Sequence, residues 1–142
     1  MIRTENMTQF QQNWNKLTEV SRNMLVAETV FGWSGFFLEH STLGKIMGTH
    51  PKTKGIKPIP DYLDEQKQDI YDVLASIRTY CLDFDLGSRT AIKNDHGMFN
   101  VYLNITWPEV APYNSIYHAE ALSWPEAVCF LAVFLFSDGL FL

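Results

Sequence analysis

An α+β fold, arranged as a three-layer α/β/α sandwich around a small antiparallel meander, is what this sequence predicts, and three patterns carry the prediction. Apolar residues recur every three or four positions from Phe10 to Phe31, the spacing of a long N-terminal helix. They then alternate with polar residues from Leu82 to Ile105, the spacing of strands. Finally, Ala127 to Phe136 is apolar almost without interruption, so it reads as a helix that must be covered on more than one side. At 142 residues, with 46% apolar and 14% aromatic content, the chain is expected to form a single domain over 1–142.

Taken in order, Phe10, Trp14, Leu17, Val20, Met24, Ala27 and Phe31 fall on one stripe of a helix predicted over 9–31. Thr8 with Gln11 makes a capping box at its start, and Gly32 is its natural stop. From Gly32 to Pro60 glycines and prolines accumulate without a sustained period, which predicts a long loop holding at most a short strand near Phe36–Leu38. Asp61 is the expected cap of a second helix, with Ile70, Val73, Leu74 and Ile77 on its buried face.

After Tyr80 the period becomes two. Leu82, Phe84 and Leu86 predict a strand with Asp83 and Asp85 facing water, turned by Gly87-Ser88. Arg89–Lys93 is a second strand, Asn94-Asp95-His96-Gly97 a turn, and Phe99, Val101, Leu103 and Ile105 the inward residues of a third. Trp107-Pro108 ends the sheet. An irregular aromatic segment with Tyr113 and Tyr117 leads to Ser123 and Glu126, which cap the apolar C-terminal helix. The apolar tail Gly139–Leu142 adds to an expectation of either a third layer or a subunit interface, the second of which would make a homo-oligomer.

Charge is unevenly placed. Residues 41–60 hold Lys45, Lys52, Lys54, Lys57 and His50 and no carboxylate, so a chain of net charge −5 carries −9 on its other 122 residues. Such a basic loop points to an anionic partner. Four lysines in an otherwise acidic chain argue against duplex nucleic acid. Cys81 and Cys129 sit in apolar surroundings without metal-type spacing and read as reduced, buried thiols. With no secretory N-terminal pattern and no apolar run of about 20 residues, the expectation is a cytoplasmic protein without a membrane anchor.

Leu25-Val26-Ala27-Glu28 leading to Gly32-Trp33 resembles the end of the first helix in the phage ABA sandwich domain family. Pro60-Asp61-Tyr62 followed by Tyr71-Asp72-Val73-Leu74, the third strand, and Trp124-Pro125-Glu126-Ala127-Val128-Cys129 are similar to later segments of that family, in the same order. Tyr62-Leu63-Asp64-Glu65 and Phe130 depart from its usual residues. The resemblance covers about residues 20–136. It implies a small antiparallel sheet between helical layers and a phage or prophage origin, and it carries no catalytic or binding residue with it.

Chemical signatures are sparse. Gly44, Gly48 and Gly55 lack the order of a phosphate-binding P-loop or a dinucleotide fingerprint. His118-Ala119-Glu120 with Pro125 and Cys129 lacks the second cysteine and the spacing of a zinc deaminase. His40, His50, His96 and His118 lie in four separate segments, so no metal site or other cofactor is expected. Asp83 and Asp85 read as solvent-facing charges, and neither Ser41 nor Cys81 has a base beside it. Aromatic residues with a polar end, Tyr102, Trp107 and Tyr113, complete the expected ligand site with Lys45, His50, Lys52, Lys54 and Lys57.

The function expected from these residues, with the phage resemblance, is a non-enzymatic binding protein of counter-defence or host takeover. It would sequester a phosphate-bearing, nucleotide-type ligand or block a host protein. A small metal-dependent hydrolase of a phosphorylated substrate, or an assembly module using its apolar C-terminal interface, are the alternatives.

Overall fold

The computed structural model describes residues 4–39, 45–107 and 113–139. Its architecture is α+β, with four α-helices and two antiparallel three-stranded sheets. The elements are α1 (Thr4–Asn15), α2 (Glu19–Phe31), β1 (Ser34–Glu39), β2 (Lys45–Thr49), β3 (Ile56–Pro58), α3 (Gln68–Leu82), β4 (Gly87–Asp95), β5 (Met98–Trp107), β6 (Tyr113–Ala121) and α4 (Trp124–Phe134). A wider, π-type turn over Leu135–Gly139 follows α4.

The predicted helix over 9–31 is two helices. Thr18 adopts an extended conformation and its Oγ1 accepts from the Ser21 amide at 3.1 Å, so it caps a new helix three residues after the first ends. Thr8 lies inside α1 and starts nothing. Arg22 stabilises the break: its Nε and Nη2 donate to the Trp14 carbonyl, which also accepts from the Leu17 amide, and its Nη1 pairs with Glu126 on α4. Gly32, at φ 80°, ends α2 as expected, with its own amide on Glu28 O and that of Trp33 on Ala27 O.

The predicted loop over 32–60 is, in its described part, the sheet β1–β2–β3. Pro51 and Gly55 lie in a turn rather than a linker, because β2 and β3 pair through Thr49↔Ile56 and Gly48↔Lys57. His40 and Ser41–Gly44 lie outside the described residues. Gly48 faces Trp33 and Phe36 so closely that a Cβ there would stand 3.0–3.1 Å from their rings.

Asp61 does not cap α3. It and Asp64 fold the preceding segment into Asx turns, accepting from Leu63 N at 3.1 Å and Gln66 N at 2.9 Å, which delays the helix to Gln68. Ile70, Val73 and Ile77 are buried as predicted. The strand predicted over 82–86 is replaced by the end of α3 and a turn in which Asp85 takes φ 58°. Gly87 and Ser88 then open β4 rather than turning it, and Arg89–Lys93 is the middle of that longer strand. The turn at His96-Gly97 is as predicted, both residues having positive φ.

The segment read as irregular before Ser123 is strand β6, which completes the meander β4–β5–β6. One face of this sheet buries Val101, Leu103, Ile105, Tyr117 and Ala119 against α4. Every residue from Ala127 to Leu135 is buried, and α4 touches α1, α2, α3, β5 and β6, which explains why its sequence is apolar all round. Phe10 and Trp14 of α1 meet Phe130 edge-on at centroid distances of 5.6 and 5.9 Å.

Candidate functional site

The outer face of the meander is laid out by register. Across the three strands run the rows Arg89, Asn104, Ile116; Ala91, Tyr102, His118; and Lys93, Asn100, Glu120. Because side chains alternate along a strand, these nine residues share the face opposite the core. Ile116 is 64% exposed, and Arg89, Ala91, Lys93, His118 and Glu120 are exposed as well.

Tyr102 stands at the centre of this face. The His118 ring stacks on it at 4.6 Å and 13°, and the Lys93 ammonium lies 5.6 Å from its centroid. Since β4 and β6 flank β5 on opposite sides, the phenol ring stands between a flat imidazole and a flexible cation. An exposed cation–π contact is worth only about 0.5–1 kcal/mol, so the Lys93 ammonium leaves the ring at small cost. Asn100 Oδ1 lies 2.7 Å from His118 Nε2, which orients the imidazole. Asn104 Oδ1 is buried and accepts no hydrogen bond from the described residues.

The basic segment is arranged differently. Lys52 and Lys54 occupy the β2–β3 turn, Lys57 follows on β3, and Lys45 opens β2 opposite Glu39, at the far end of the strand from that turn. All four lysines are exposed. The turn's amides are already used: His50 Nδ1 accepts from Lys52 N at 3.1 Å and Thr53 N at 3.2 Å, and His50 N donates to Gly55 O. Its ring meets Trp33 edge-on at 5.1 Å. His50 therefore organises the turn from inside, and the backbone N–H groups of the turn are occupied rather than open to an anion.

Trp107 lies on the core side of β5, opposite in parity to Tyr102, where its indole donates to Ser115 Oγ at 2.9 Å. Tyr113 pairs with Trp107 in backbone register. Of Tyr102 and Trp107, Tyr102 alone is placed on the outer face. Sequence reasoning missed its neighbours Arg89, Lys93, Asn100, Asn104 and His118 as a group. The signal was present in β4 and β5, whose outward positions alternate as 89, 91, 93 and 100, 102, 104, but without β6 the approach of His118 to Tyr102 was invisible.

Neither thiol is poised for chemistry. Burial, then the charges of Asp61 and Glu126, push Cys129 far above the usual thiol range, and burial raises Cys81 against a hydrogen bond with Ser88. Among the described residues no group of three or more His, Cys, Asp and Glu side chains is placed to hold a metal ion, and no helix is long and apolar enough to cross a membrane. Comparison with protein families, with curated proteins and with solved structures finds no match to this chain.

Proposed function

We propose that this chain is a non-enzymatic binding protein for a nucleotide-type, phosphate-bearing ligand, with the open face of the meander as its base-recognition surface. The observation that supports this reading is the Tyr102 ring held upright between His118 and Lys93, beside an unpartnered Asn104 carbonyl. A nucleobase stacks on aromatic faces, its ring N–H groups suit the Asn104 acceptor, and its phosphate suits Lys93 or Arg89. Ligand sequestration by a phage- or prophage-encoded protein, in counter-defence or host takeover, is the biological role that the sequence resemblance adds to this reading. Lys52, Lys54, Lys57 and His50 belong to it as a second basic surface on the hairpin. The three-layer sandwich and self-association expected from the sequence belong to this reading too, through surfaces other than the open outer face of the meander.

The deciding experiment is a thermal-shift screen of nucleosides and mono-, di- and cyclic nucleotides. A ligand at about 100 times its Kd stabilises a fold by about 2.7 kcal/mol, an easily measured shift. The proposal expects a shift that disappears in Tyr102→Ala and persists when Lys45, Lys52, Lys54 and Lys57 are all changed to Ala. No shift with any base-containing ligand overturns it in favour of a protein partner. Turnover of the ligand in the presence of divalent metal ions overturns the non-enzymatic part.

A further inference from the structure

We infer that Arg78 and Arg89 form an oxyanion-binding cleft, for a free phosphate or a phosphate monoester, on the edge of the meander next to α3. The two arginines line one cleft of about 340 Å³, together with Ser88 and Thr90 and an apolar floor of Leu74, Ile77 and Ile92. No carboxylate lines it, although the chain has 16 acidic residues to 11 lysines and arginines.

Both guanidinium groups are kept apart from carboxylates by their own elements. On α3 the positions three and four residues from Arg78 are Leu74, Ala75, Cys81 and Leu82, so no helical ion pair is available to it. On the sheet Arg89 stands opposite Asn104, with Gly87 and Ala91 as its same-face neighbours along β4. The ion pairs among the described residues are Arg22 with Glu126 and His96 with Asp95, and neither cleft arginine takes part in one. Two unpaired cations sharing one cleft repel each other and are neutralised together by a single multivalent anion.

The geometry favours phosphate over a simple halide. Planar guanidinium groups bind tetrahedral oxyanions through paired N–H donors, and hydroxyl groups add further donors. β4 is an edge strand, so every second backbone N–H along it points away from β5 and is unpaired within the sheet. This site shares Arg89 with the outer face of the meander and does not depend on any base being recognised at Tyr102.

Calorimetric titration with inorganic phosphate, pyrophosphate and glycerol phosphate, at fixed ionic strength, tests the proposal. Saturable one-site binding is expected, weakened about tenfold or more by Arg78→Gln and by Arg89→Gln, both exposed positions whose folding circular dichroism verifies. Arg→Lys at either position, which keeps the charge but loses the fork, is expected to weaken binding as well. Lys16→Gln, which removes the same charge from the α1–α2 turn, leaves affinity unchanged. Tighter binding of glycerol phosphate than of inorganic phosphate assigns the cleft to esters, and the reverse assigns it to the free anion. Heat that does not saturate, or binding that survives Arg78→Gln, overturns the proposal. None of these probes contains a base, so their failure leaves the nucleoside result standing.

Discussion

The meander β4–β5–β6 uses strands of nine, ten and nine residues in unbroken register, with its inner face sealed by α4. By contrast, β1–β2–β3 uses strands of six, five and three residues, and its register shifts between Ser34 and Phe37. That smaller sheet is tied to the molecule through few side chains, chiefly Trp33, Phe36 and the close approach of Gly48. The difference shows how a chain separates precision from charge. Where a sheet is held firmly from behind, its front can display a composed set of aromatic, amide and cationic groups. Where it is not, charges are strung along a hairpin whose turn consumes its own backbone donors.

If this contrast is right, truncating the inner face of the meander has the largest consequence. Leu103→Ala is expected to cost about 2–5 kcal/mol in urea unfolding, while Ile56→Ala on β3, 61% exposed, stays within about 0.5 kcal/mol. Similar losses at the two sites would break the comparison. Next in size is Gly48→Val, which forces a branched side chain toward Trp33 and Phe36 and is expected to cost about 1–3 kcal/mol. Hydrogen exchange should then quicken in β2 more than in β5.

The seam between α2 and α4 is also sensitive to pH. Tyr62 stacks on Phe31 at 5.2 Å, and Cys129 Sγ approaches its carbonyl. Burial, with nearby carboxylates, raises both acids above their ordinary values of 10.0 and 9.0. The native state therefore keeps protons that the unfolded chain releases, so their stabilisation is complete below about pH 9 and declines as pH rises beyond it. The loss reaches about 1.4 kcal/mol per pH unit for each group that ionises only on unfolding. Urea titrations at pH 8, 9, 10 and 10.5 measure it, and a flat profile contradicts the burial of this seam. Smallest is His50→Ala, expected to cost about 1 kcal/mol and to free the Lys52 and Thr53 amides to exchange while the meander amides are untouched.

These elements were not equally legible in the sequence. Strand β5, the His96-Gly97 turn, the Ser123–Glu126 cap and Gly32 each carry a local rule that tertiary contacts reinforce. The break at Thr18 was hidden because the apolar stripe runs through it in phase, and what ends α1 is a distant partner, the Arg22 bridge to Trp14 and Glu126. Strand β6 was missed because its inward positions include small Ser115, Ala119 and Ala121, too weak to register as a strand period. The site suffered from both effects: Tyr102 could be placed outward from the alternation of β5, but its stacking partner arrived with β6, and Arg78 and Arg89 come to line one cleft only through the packing of α3 beside β4.

The burial of α4 on all sides has a consequence for synthesis. Phe10 and Trp14 leave the ribosome more than a hundred residues before Phe130, the ring they finally rest on, and the inner face of the meander waits for the same helix. At about 5–20 residues per second the nascent chain therefore spends seconds displaying aromatic and aliphatic surface with nothing to cover it. A chain interrupted before Trp124 would be a substrate for chaperones and proteases, and closure of the whole core would be a late event triggered by one segment.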